Sequence, residues 1–444
     1  MMESKKNNNF IIILSILHII FIVLFGVFTK FPKSDSKINA TENYIYFTDI
    51  NAMIFIGFGF LMTFLRRYGF SAVGVNMLLA CTTIEWSIII RGLLSEEFHE
   101  NEFFTLTINS IIYGDISAAV ILISMGAVLG KLSPIQYLIM AFFEVPAALI
   151  TEHIIIEVLH VTDCGGSIVV HVFGAYFGLA IAKVLDRDGI QKSNHEGSIY
   201  HSDIFAMIGT LVLWIFWGSF NAALAEGEEA KRRCLINTLL SLSAATIATF
   251  VTSQFVNKHR KFDMVHMANS TLAGGVAIGT ASNLVLSPFI SMIIGTISGV
   301  ISVLGYEYIT PTLSKKFGIH DTCGVGNLHG IPGIIAGLSS IVVAFIYTKE
   351  DYGDEFSSIY LSDKFGRSLS TQALYQLIGL GIAIFSSILT GSITAFILRL
   401  KIFDQVPDED LFSDERYYHT PCDFDFTTRI IGHIDNVEIT EKKV

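Results

Sequence analysis

Long apolar runs, separated by short charged segments, recur throughout this chain of 444 residues. A run of about 20 apolar residues is long enough to span the hydrocarbon core of a bilayer as a helix. Only 16% of the residues are charged, against about 25% in soluble domains, and the mean hydropathy is +0.57. The sequence therefore predicts an all-α polytopic membrane protein and argues against a soluble fold.

Twelve membrane spans are predicted from these runs. The first lacks an A-x-A cleavage site, so we interpret it as an uncleaved span rather than a signal peptide. The weakest candidate is residues 264–282, which His266, Asn269, Ser270 and Thr271 interrupt. The predicted spans are 10–28, 47–65, 71–93, 105–130, 135–158, 166–185, 202–224, 234–256, 264–282, 284–308, 323–347 and 371–399.

Two parts of the chain differ in charge. Residues 1–402 form the predicted transmembrane domain, and residues 403–444 form an acidic cytoplasmic tail with eleven Asp or Glu against four Lys or Arg. Most of the net charge of −11 comes from this tail. Its composition predicts a flexible or partner-binding segment, but it names no partner. No basic patch indicates a nucleic-acid partner.

The loop charges predict that both termini are cytosolic, because Lys and Arg accumulate on the cytoplasmic side of membrane proteins. This topology places Asn39 in the first outer loop, where Asn39-Ala40-Thr41 is a predicted glycosylation site. The basic residues that follow the even-numbered spans include Arg66, Arg67, Lys131, Lys183, Arg187, Lys258, Arg260, Lys261, Lys315 and Lys316.

A motif of the form D-x-x-G-x4-H occurs twice, with its histidines 158 residues apart. A G-x-x-x-G pair follows each histidine, and such pairs let helices approach each other closely. The five cysteines, in contrast, have no metal-ligand spacing, and we predict neither a metal nor a cofactor. The two copies of the motif comprise Asp163, Gly166 and His171, and Asp321, Gly324 and His329.

Topology predicts that the two copies enter the membrane from opposite faces. His171 lies on the sixth predicted span and His329 on the eleventh, so their helices run in opposite directions. Eight residues separate each aspartate from its histidine, which corresponds to about 12 Å along a helix. In a hydrocarbon core of about 30 Å, both histidines reach the midplane. This arrangement is typical of an inverted-topology repeat with its site between the halves.

A pair of neutral imidazoles offers hydrogen-bond donors and acceptors inside an apolar passage. Such a pair suits a solute that changes between a cation and a small neutral molecule, because a charge at the bilayer centre costs at least roughly 2.5–3.5 kcal/mol. The alternative is that His171 and His329 only pack helices together. Asp163 and Asp321 either cap helix starts or attract a cation. The Trp214-x-x-Trp217-x-x-Phe220 stripe is interpreted as packing.

Several segments resemble the Rh glycoprotein branch of the ammonium transporter/Rh family over roughly residues 10 to 400. They include DCGGSIVVHVFGAYFGL, DMVHMANSTLAGGVAIGT, DTCGVGNLHGIPGII, GAVLGKLSPIQYLIM and FAMIGTLVLWIFWGSFNAA. The resemblance implies an α-helical homotrimer with one pore in each subunit. It also implies that the inverted repeat relates spans two to six with spans seven to eleven, and that the first span is extra.

The resemblance also assigns roles by motif. His171 and His329 match the twin pore histidines of the family, and Asp163 and Asp321 match its paired aspartates. Phe220 matches one of two stacked phenylalanines that close the outer entrance, whereas Ile116 occupies the position of the other. The predicted gate is therefore one aromatic ring against one aliphatic side chain. Glu152, eleven residues before Asp163, resembles a vestibule carboxylate.

The sequence thus predicts an ammonia/ammonium channel or facilitator, not an enzyme, in the plasma membrane, with an internal membrane as the alternative. Ammonium would lose its proton near Phe220, and ammonia would pass His171 and His329. Two other functions stay open at this point: passage of carbon dioxide through the same fold, and a non-conducting structural subunit of a membrane complex.

Overall fold

The computed structural model describes residues 9–32 and 43–421. Within them, eleven helices are long and apolar enough to cross a membrane. A shorter, interrupted segment at residues 264–279 is α9. The long helices are α1 (Asn9–Phe28), α2 (Tyr44–Phe64), α3 (Gly69–Leu93), α4 (Ile108–Ala127), α5 (Pro134–Val158), α6 (Ser167–Val184), α7 (Tyr200–Ala222), α8 (Glu228–Val256), α10 (Pro288–Phe317), α11 (Gly326–Ile346) and α12 (Leu369–Leu398).

The crossing that was weakest in the sequence consists of two short helices, α9a (Met264–Asn269) and α9b (Ala273–Gly279). Buried hydroxyls stabilise the break between them: Ser302 on α10 bonds to Ser270 at 2.8 Å, and Thr210 on α7 donates to the Ala268 carbonyl at 2.8 Å. The predicted helical membrane fold is confirmed, and the count of twelve crossings agrees if this interrupted segment is included.

Helix ends follow local sequence signals. Ser133 and Thr107 accept hydrogen bonds from backbone N–H groups in the first turns of α5 and α4, and such caps fix where a helix begins. The remaining short elements are helices at Glu96–Asn101, Asp188–Lys192, Lys349–Tyr352 and Phe356–Ile359, 3-10 turns at Gly353–Glu355, Leu361–Phe365 and Asp408–Asp410, and a parallel pair of strands, β1 (Thr29–Lys30) and β2 (Phe104–Thr105).

Burial separates central from peripheral helices. In α4 and α6, 83% of the 18 most apolar consecutive residues are buried inside the protein, whereas in α1 the share is 6%. Lipid is as apolar as a leucine side chain, so apolar residues of a membrane helix need no protein cover. Helix α1 is therefore peripheral, while α4 and α6 form the centre of the fold.

The first part of the predicted tail packs against the ends of the membrane helices. Asp414 accepts hydrogen bonds from the N–H groups of Phe70 and Ser71, at 2.8 and 2.9 Å, and so caps α3. Phe412 is fully buried, and its N–H donates to the carbonyl of Gly130 at 2.8 Å. The tail up to Pro421 is thus part of the folded structure, and the residues beyond it lie outside the described chain.

Candidate functional site: a histidine pair between two pockets

Helix α6 begins with wide π-helical turns at Ser167–Val172, which carry His171. The turn before it holds Gly166 at φ +67°, a left-handed conformation that suits glycine. Asp163 accepts hydrogen bonds from the N–H groups of Ile168 and Val169, each at 2.9 Å, and from the Thr280 hydroxyl at 2.5 Å. Burial raises the pKa of Asp163 to about 6. Because Asp163 accepts hydrogen bonds from the first turn, the helix starts after Asp163 rather than at it.

Helix α11 begins in the same way, with π-helical turns at Gly326–Gly330 that carry His329. Gly324 precedes them at φ +73°. Asp321 accepts hydrogen bonds from the N–H groups of Gly324, Val325 and Gly326, at 2.9, 3.0 and 2.9 Å. Both aspartates thus act as helix caps, which satisfy N–H groups that have no partner within the helix.

Two pockets lie at opposite ends of α7. Residues of the first motif copy line one pocket, and residues of the second copy line the other. The Glu152 pocket, of about 230 Å³, is lined by Asp163 together with Ile116 and Phe220. The Glu196 pocket, of about 280 Å³, is lined by Asp321. Helices α6 and α11 therefore enter the protein from opposite sides, as the inverted repeat predicted.

The two histidines meet between the pockets. The Nδ1 atoms of His171 and His329 lie 3.1 Å apart, and the rings are nearly parallel, with centroids 5.1 Å apart. Only 1% of His171 and 3% of His329 is exposed. One Nδ1 must carry the proton that the other accepts. If both rings are neutral, this contact fixes the tautomer of each.

Aromatic rings surround the histidine pair. Trp217 stacks on His171 at a centroid distance of 5.7 Å, and Phe58 stacks on His329 at 6.4 Å. Phe220 lies 5.8 Å from His171, between it and the Glu152 pocket. Within the described residues, Nε2 of His171 is buried and has no hydrogen-bond partner. This nitrogen can therefore form a hydrogen bond to a small polar molecule beside the pair.

A small cavity beside His329 adjoins the Glu196 pocket, with which it shares Leu61, Phe64, Asn269 and Cys323 in its lining. Its volume is about 20 Å³. A cavity needs roughly 10–15 Å³ to hold one water molecule. The cavity beside His329 therefore has room for about one molecule of the size of water, and it is smaller than a hydrated cation.

The G-x-x-x-G pairs predict a close approach of α6 and α11 at the four glycines that follow the histidines. Only one of the four lies between these two helices. A Cβ at Gly333 would lie 2.8 Å from the Ser167 carbonyl oxygen of α6. Gly174 and Gly178 instead face α4, and Gly337 faces Leu380 of α12. The prediction is wrong for these three positions, because their side of the helix packs closely against α4 or α12 rather than against the other histidine helix.

The model of the Ammonium Transporter Family matches residues 9–417 of the chain. The chain belongs to this family. It is 45% identical to Ammonium transporter Rh type B of Xenopus tropicalis over 91% of this chain and 92% of that protein, and 43% identical to Ammonium transporter Rh type B of Homo sapiens over 90% of each. Among solved structures, it is similar to Nitrosomonas europaea Rh50, with a TM-score of 0.73, 34% identity and coverage of 88% and 96% of the two chains.

These similarities confirm the predicted resemblance to the Rh branch of the ammonium transporter family. The family consists of transporters and channels rather than enzymes, as predicted. Membership by itself assigns no role to a residue of this family member. The roles of the histidine pair, the aspartates and the pocket residues therefore rest on the geometry above.

Glu152 lines its pocket but is not a free carboxylate. Its two oxygens accept hydrogen bonds from the guanidinium of Arg91 at 2.9 and 2.8 Å, and the guanidinium lies 4.5 Å from the Tyr113 ring centroid. A bidentate pair with arginine neutralises the charge of the carboxylate. Glu157 and Glu226, which line the same pocket, are exposed and are better placed to attract a cation from solution.

Reasoning from the sequence missed three residues at the site. Trp217 was interpreted as packing, yet it contacts His171; its spacing of three residues from Phe220, on one face of α7, was the available signal. Phe58 and Arg91 lie in apolar spans without any motif, so nothing in their local sequence distinguished them. The predicted glycosylation site at Asn39 lies outside the described residues.

Proposed function

We propose that this chain is an ammonia/ammonium channel or facilitator. The observation that carries the proposal is the buried pair of imidazoles between two pockets, beside a cavity of about 20 Å³. A solute of this size that is a cation in water and a hydrogen-bonding neutral molecule in an apolar passage fits ammonium and ammonia. Relatives that share 43–45% identity carry the name Ammonium transporter Rh type B, which supports the same substrate.

The first step takes place in the Glu152 pocket. Ammonium collects there beside exposed Glu157 and Glu226, because negative charge at a pore mouth raises the local concentration of cations. A cation that continued past Phe220 to the bilayer centre would cost at least roughly 2.5–3.5 kcal/mol there. Ammonium therefore gives its proton to water in the Glu152 pocket before it reaches Phe220, and neutral ammonia continues.

The second step is passage along the imidazole pair. Ammonia hydrogen-bonds to the unpartnered Nε2 of His171, moves past His329 and leaves through the Glu196 pocket. The Nδ1–Nδ1 contact holds both rings in place while their outer edges face the solute. If the proton stays at the entrance, transport is electroneutral; if it crosses along the imidazoles, transport is electrogenic.

The two alternatives are less well supported. Carbon dioxide has no hydrogen to donate, so it gains less from an unpartnered imidazole nitrogen than ammonia does. A non-conducting structural subunit has no need for two buried polar rings in contact, because burying polar groups costs free energy unless they are satisfied. The histidine pair therefore favours conduction of ammonia.

The assembly and location follow as further parts of the proposal. We infer a homotrimer with one pore per subunit in the plasma membrane, both termini in the cytosol and a glycan at Asn39. Loops on the side of the Glu196 pocket carry more Lys and Arg, which supports a cytosolic position of that pocket.

Reconstitution into liposomes tests the proposal. The vesicles contain a pH-sensitive dye, and an inward ammonium gradient is imposed in a stopped-flow instrument. We expect internal pH to change faster than in empty vesicles of the same lipid. A matched carbon dioxide gradient on the same vesicles measures the competing function, and current across a supported membrane separates electrogenic from electroneutral transport. Ammonium-dependent rates equal to those of empty vesicles would refute the channel.

A further inference from the structure

Two cysteines lie in contact beside the entrance from the Glu152 pocket. The Sγ atoms of Cys164 and Cys234 are 3.6 Å apart, and both are free thiols. Cys164 lies in the turn before α6 and lines the pocket, whereas Cys234 is fully buried on α8. A reagent in the pocket therefore reaches the first thiol, and the second lies directly behind it.

The thiols connect three elements that build the entrance. Cys164 directly follows the cap residue Asp163, and its Sγ lies 3.4 Å from the carbonyl oxygen of Asn221, the neighbour of Phe220 on α7. The Ser282 hydroxyl contacts Sγ of Cys234 at 3.3 Å. A change in the bonding of the two sulfurs therefore acts on the start of α6 and on the end of α7 together.

We propose that Cys164 and Cys234 form a reversible disulfide when the Glu152 pocket is exposed to a peroxide, and that this bond closes the entrance. In the first step, peroxide transfers one oxygen to the Cys164 sulfur, which gives a sulfenic acid and one water. The Cys234 sulfur then attacks that sulfur, the S–S bond forms, and hydroxide takes up the thiol proton and leaves as a second water. The two thiols lose two electrons to the peroxide, and a dithiol reverses the reaction by exchange.

The bond shortens the gap between the sulfurs. A disulfide has an S–S distance of about 2.05 Å, so the atoms approach each other by roughly 1.5 Å from their present contact. The turn has no free space to absorb this shift: a Cβ at Gly165 would lie 2.4 Å from Asn221 Oδ1 and 2.8 Å from Gly279 Cα. We therefore expect the displacement to reach the start of α6 and Phe220, which is next to Asn221 on α7.

Mass spectrometry of reconstituted protein tests whether the bond forms. The starting variant carries Cys81→Ser, Cys323→Ser and Cys422→Ser, which leaves only the two cysteines of the pair. After hydrogen peroxide, which crosses the bilayer, free thiols are alkylated and the protein is digested. We expect one linked peptide that contains Cys164 and Cys234, with the mass of two hydrogens lost, and its disappearance after dithiothreitol. Two alkylated cysteines after peroxide would overturn the proposal.

Flux on the same vesicles tests whether the bond closes the entrance, and this part rests on the proposed ammonium transport. We expect peroxide to abolish most of the ammonium-dependent pH change and dithiothreitol to restore it. Cys234→Ser in the same background is the matched control: it should conduct before and after peroxide, which separates the disulfide from oxidation of methionines. Linkage with unchanged flux would overturn the closing role.

The two readouts fail independently. If the reduced protein never carries ammonium, the proposed function is wrong, yet the linked peptide still reports on the disulfide. If ammonium flux is robust but the linked peptide never forms, only the disulfide is wrong.

Discussion

The two halves of the pore start from the same backbone device and differ in what surrounds the histidine. In α6 and α11 alike, an aspartate caps the first turn, a glycine with positive φ follows, and π-helical turns carry the histidine. On α7, Trp217 and Phe220 cover His171, whereas α2 offers only Phe58 to His329. The repeated part positions the imidazoles, and in the proposed function the part that differs controls entry.

The two ends of the proposed passage differ in where their aromatic rings lie. On the side of the Glu152 pocket, Phe220 separates solvent from His171. On the other side, a cavity of about 20 Å³ lies beside His329, and Phe64 lines both this cavity and the Glu196 pocket. If the two halves of the inverted repeat were identical, both ends of the passage would be equally open or equally closed. The two ends of the proposed pore differ, because Phe220 lies next to His171, whereas Phe64 lines the cavity beside His329.

The largest expected effect comes from the part that the halves share. His171→Ala and His329→Ala should each lower ammonium flux to the rate of empty vesicles, because each leaves the other imidazole buried without its partner. The double variant should be no worse than either single variant, since the two rings act as one unit. Stopped-flow measurement on liposomes checks this.

His99→Ala, in a short helix that lines neither of the two pockets nor the cavity beside His329, is the matched control for the histidine variants and should conduct normally. Unchanged flux in both pore variants would show that the histidines only pack helices together, and it would remove the basis of the proposed mechanism.

The aspartates should differ in their effect on stability. Asp321→Ala removes the acceptor of three backbone N–H groups, and each buried donor without a partner costs about 1–3 kcal/mol. Asp163→Ala affects two N–H groups and one Thr280 hydroxyl that can rotate to another acceptor. We therefore expect a lower melting temperature for both variants in detergent, and the larger decrease for Asp321→Ala.

Asparagine at the same positions keeps one acceptor oxygen and should give intermediate melting temperatures. If Asp163→Ala keeps its melting temperature and loses only flux, the carboxylate handles the cation rather than the helix start, and the two halves are less alike than their geometry indicates.

Ile116 tests the barrier at the entrance. Ile116→Phe places a second ring beside Phe220 in the Glu152 pocket. An aromatic pair adds about 0.5–1.5 kcal/mol beyond area burial, and that energy opposes opening, so flux should fall by about two- to tenfold. Ile116→Leu keeps an aliphatic side chain of the same size and is the control. Faster flux in Ile116→Phe would mean that the ring does not close the passage.

Trp217 gives the smallest expected effect. Its Nε1–H is buried and has no partner within the described residues, close to His171. Trp217→Phe keeps an aromatic ring but removes this donor. The ring beside His171 would then be a phenylalanine, like the Phe58 ring of α2 beside His329. A neutral hydrogen bond contributes about 0.5–1.5 kcal/mol, so we expect up to about a tenfold loss of flux.

Trp214→Phe is the matched control on the same helix, because Nε1 of Trp214 bonds to Thr246 at 3.1 Å, away from the histidine pair. Equal losses in both tryptophan variants would indicate a packing effect and would contradict a role of the Trp217 donor in passage.

Much of the fold was predictable from the sequence because membrane spans are long and apolar. The interrupted span at residues 264–282 was the weakest prediction, and it is two short helices in the structure. Hydropathy could not show that Thr210 and Ser302 stabilise the break, because both residues come from other helices. The packed start of the tail was missed for the same reason: the cap of Asp414 on α3 joins distant parts of the chain.

By itself, the sequence determined the class of protein, the two motif copies and their opposed directions, because these depend on local composition, spacing and the parity of membrane crossings. Only the tertiary structure decided that the Nδ1 atoms of His171 and His329 meet at 3.1 Å, that Arg91 neutralises Glu152 and that Trp217 contacts the pore. Each of these contacts joins helices far apart in the chain. Helix packing, rather than local residue spacing, sets which side chains face each other.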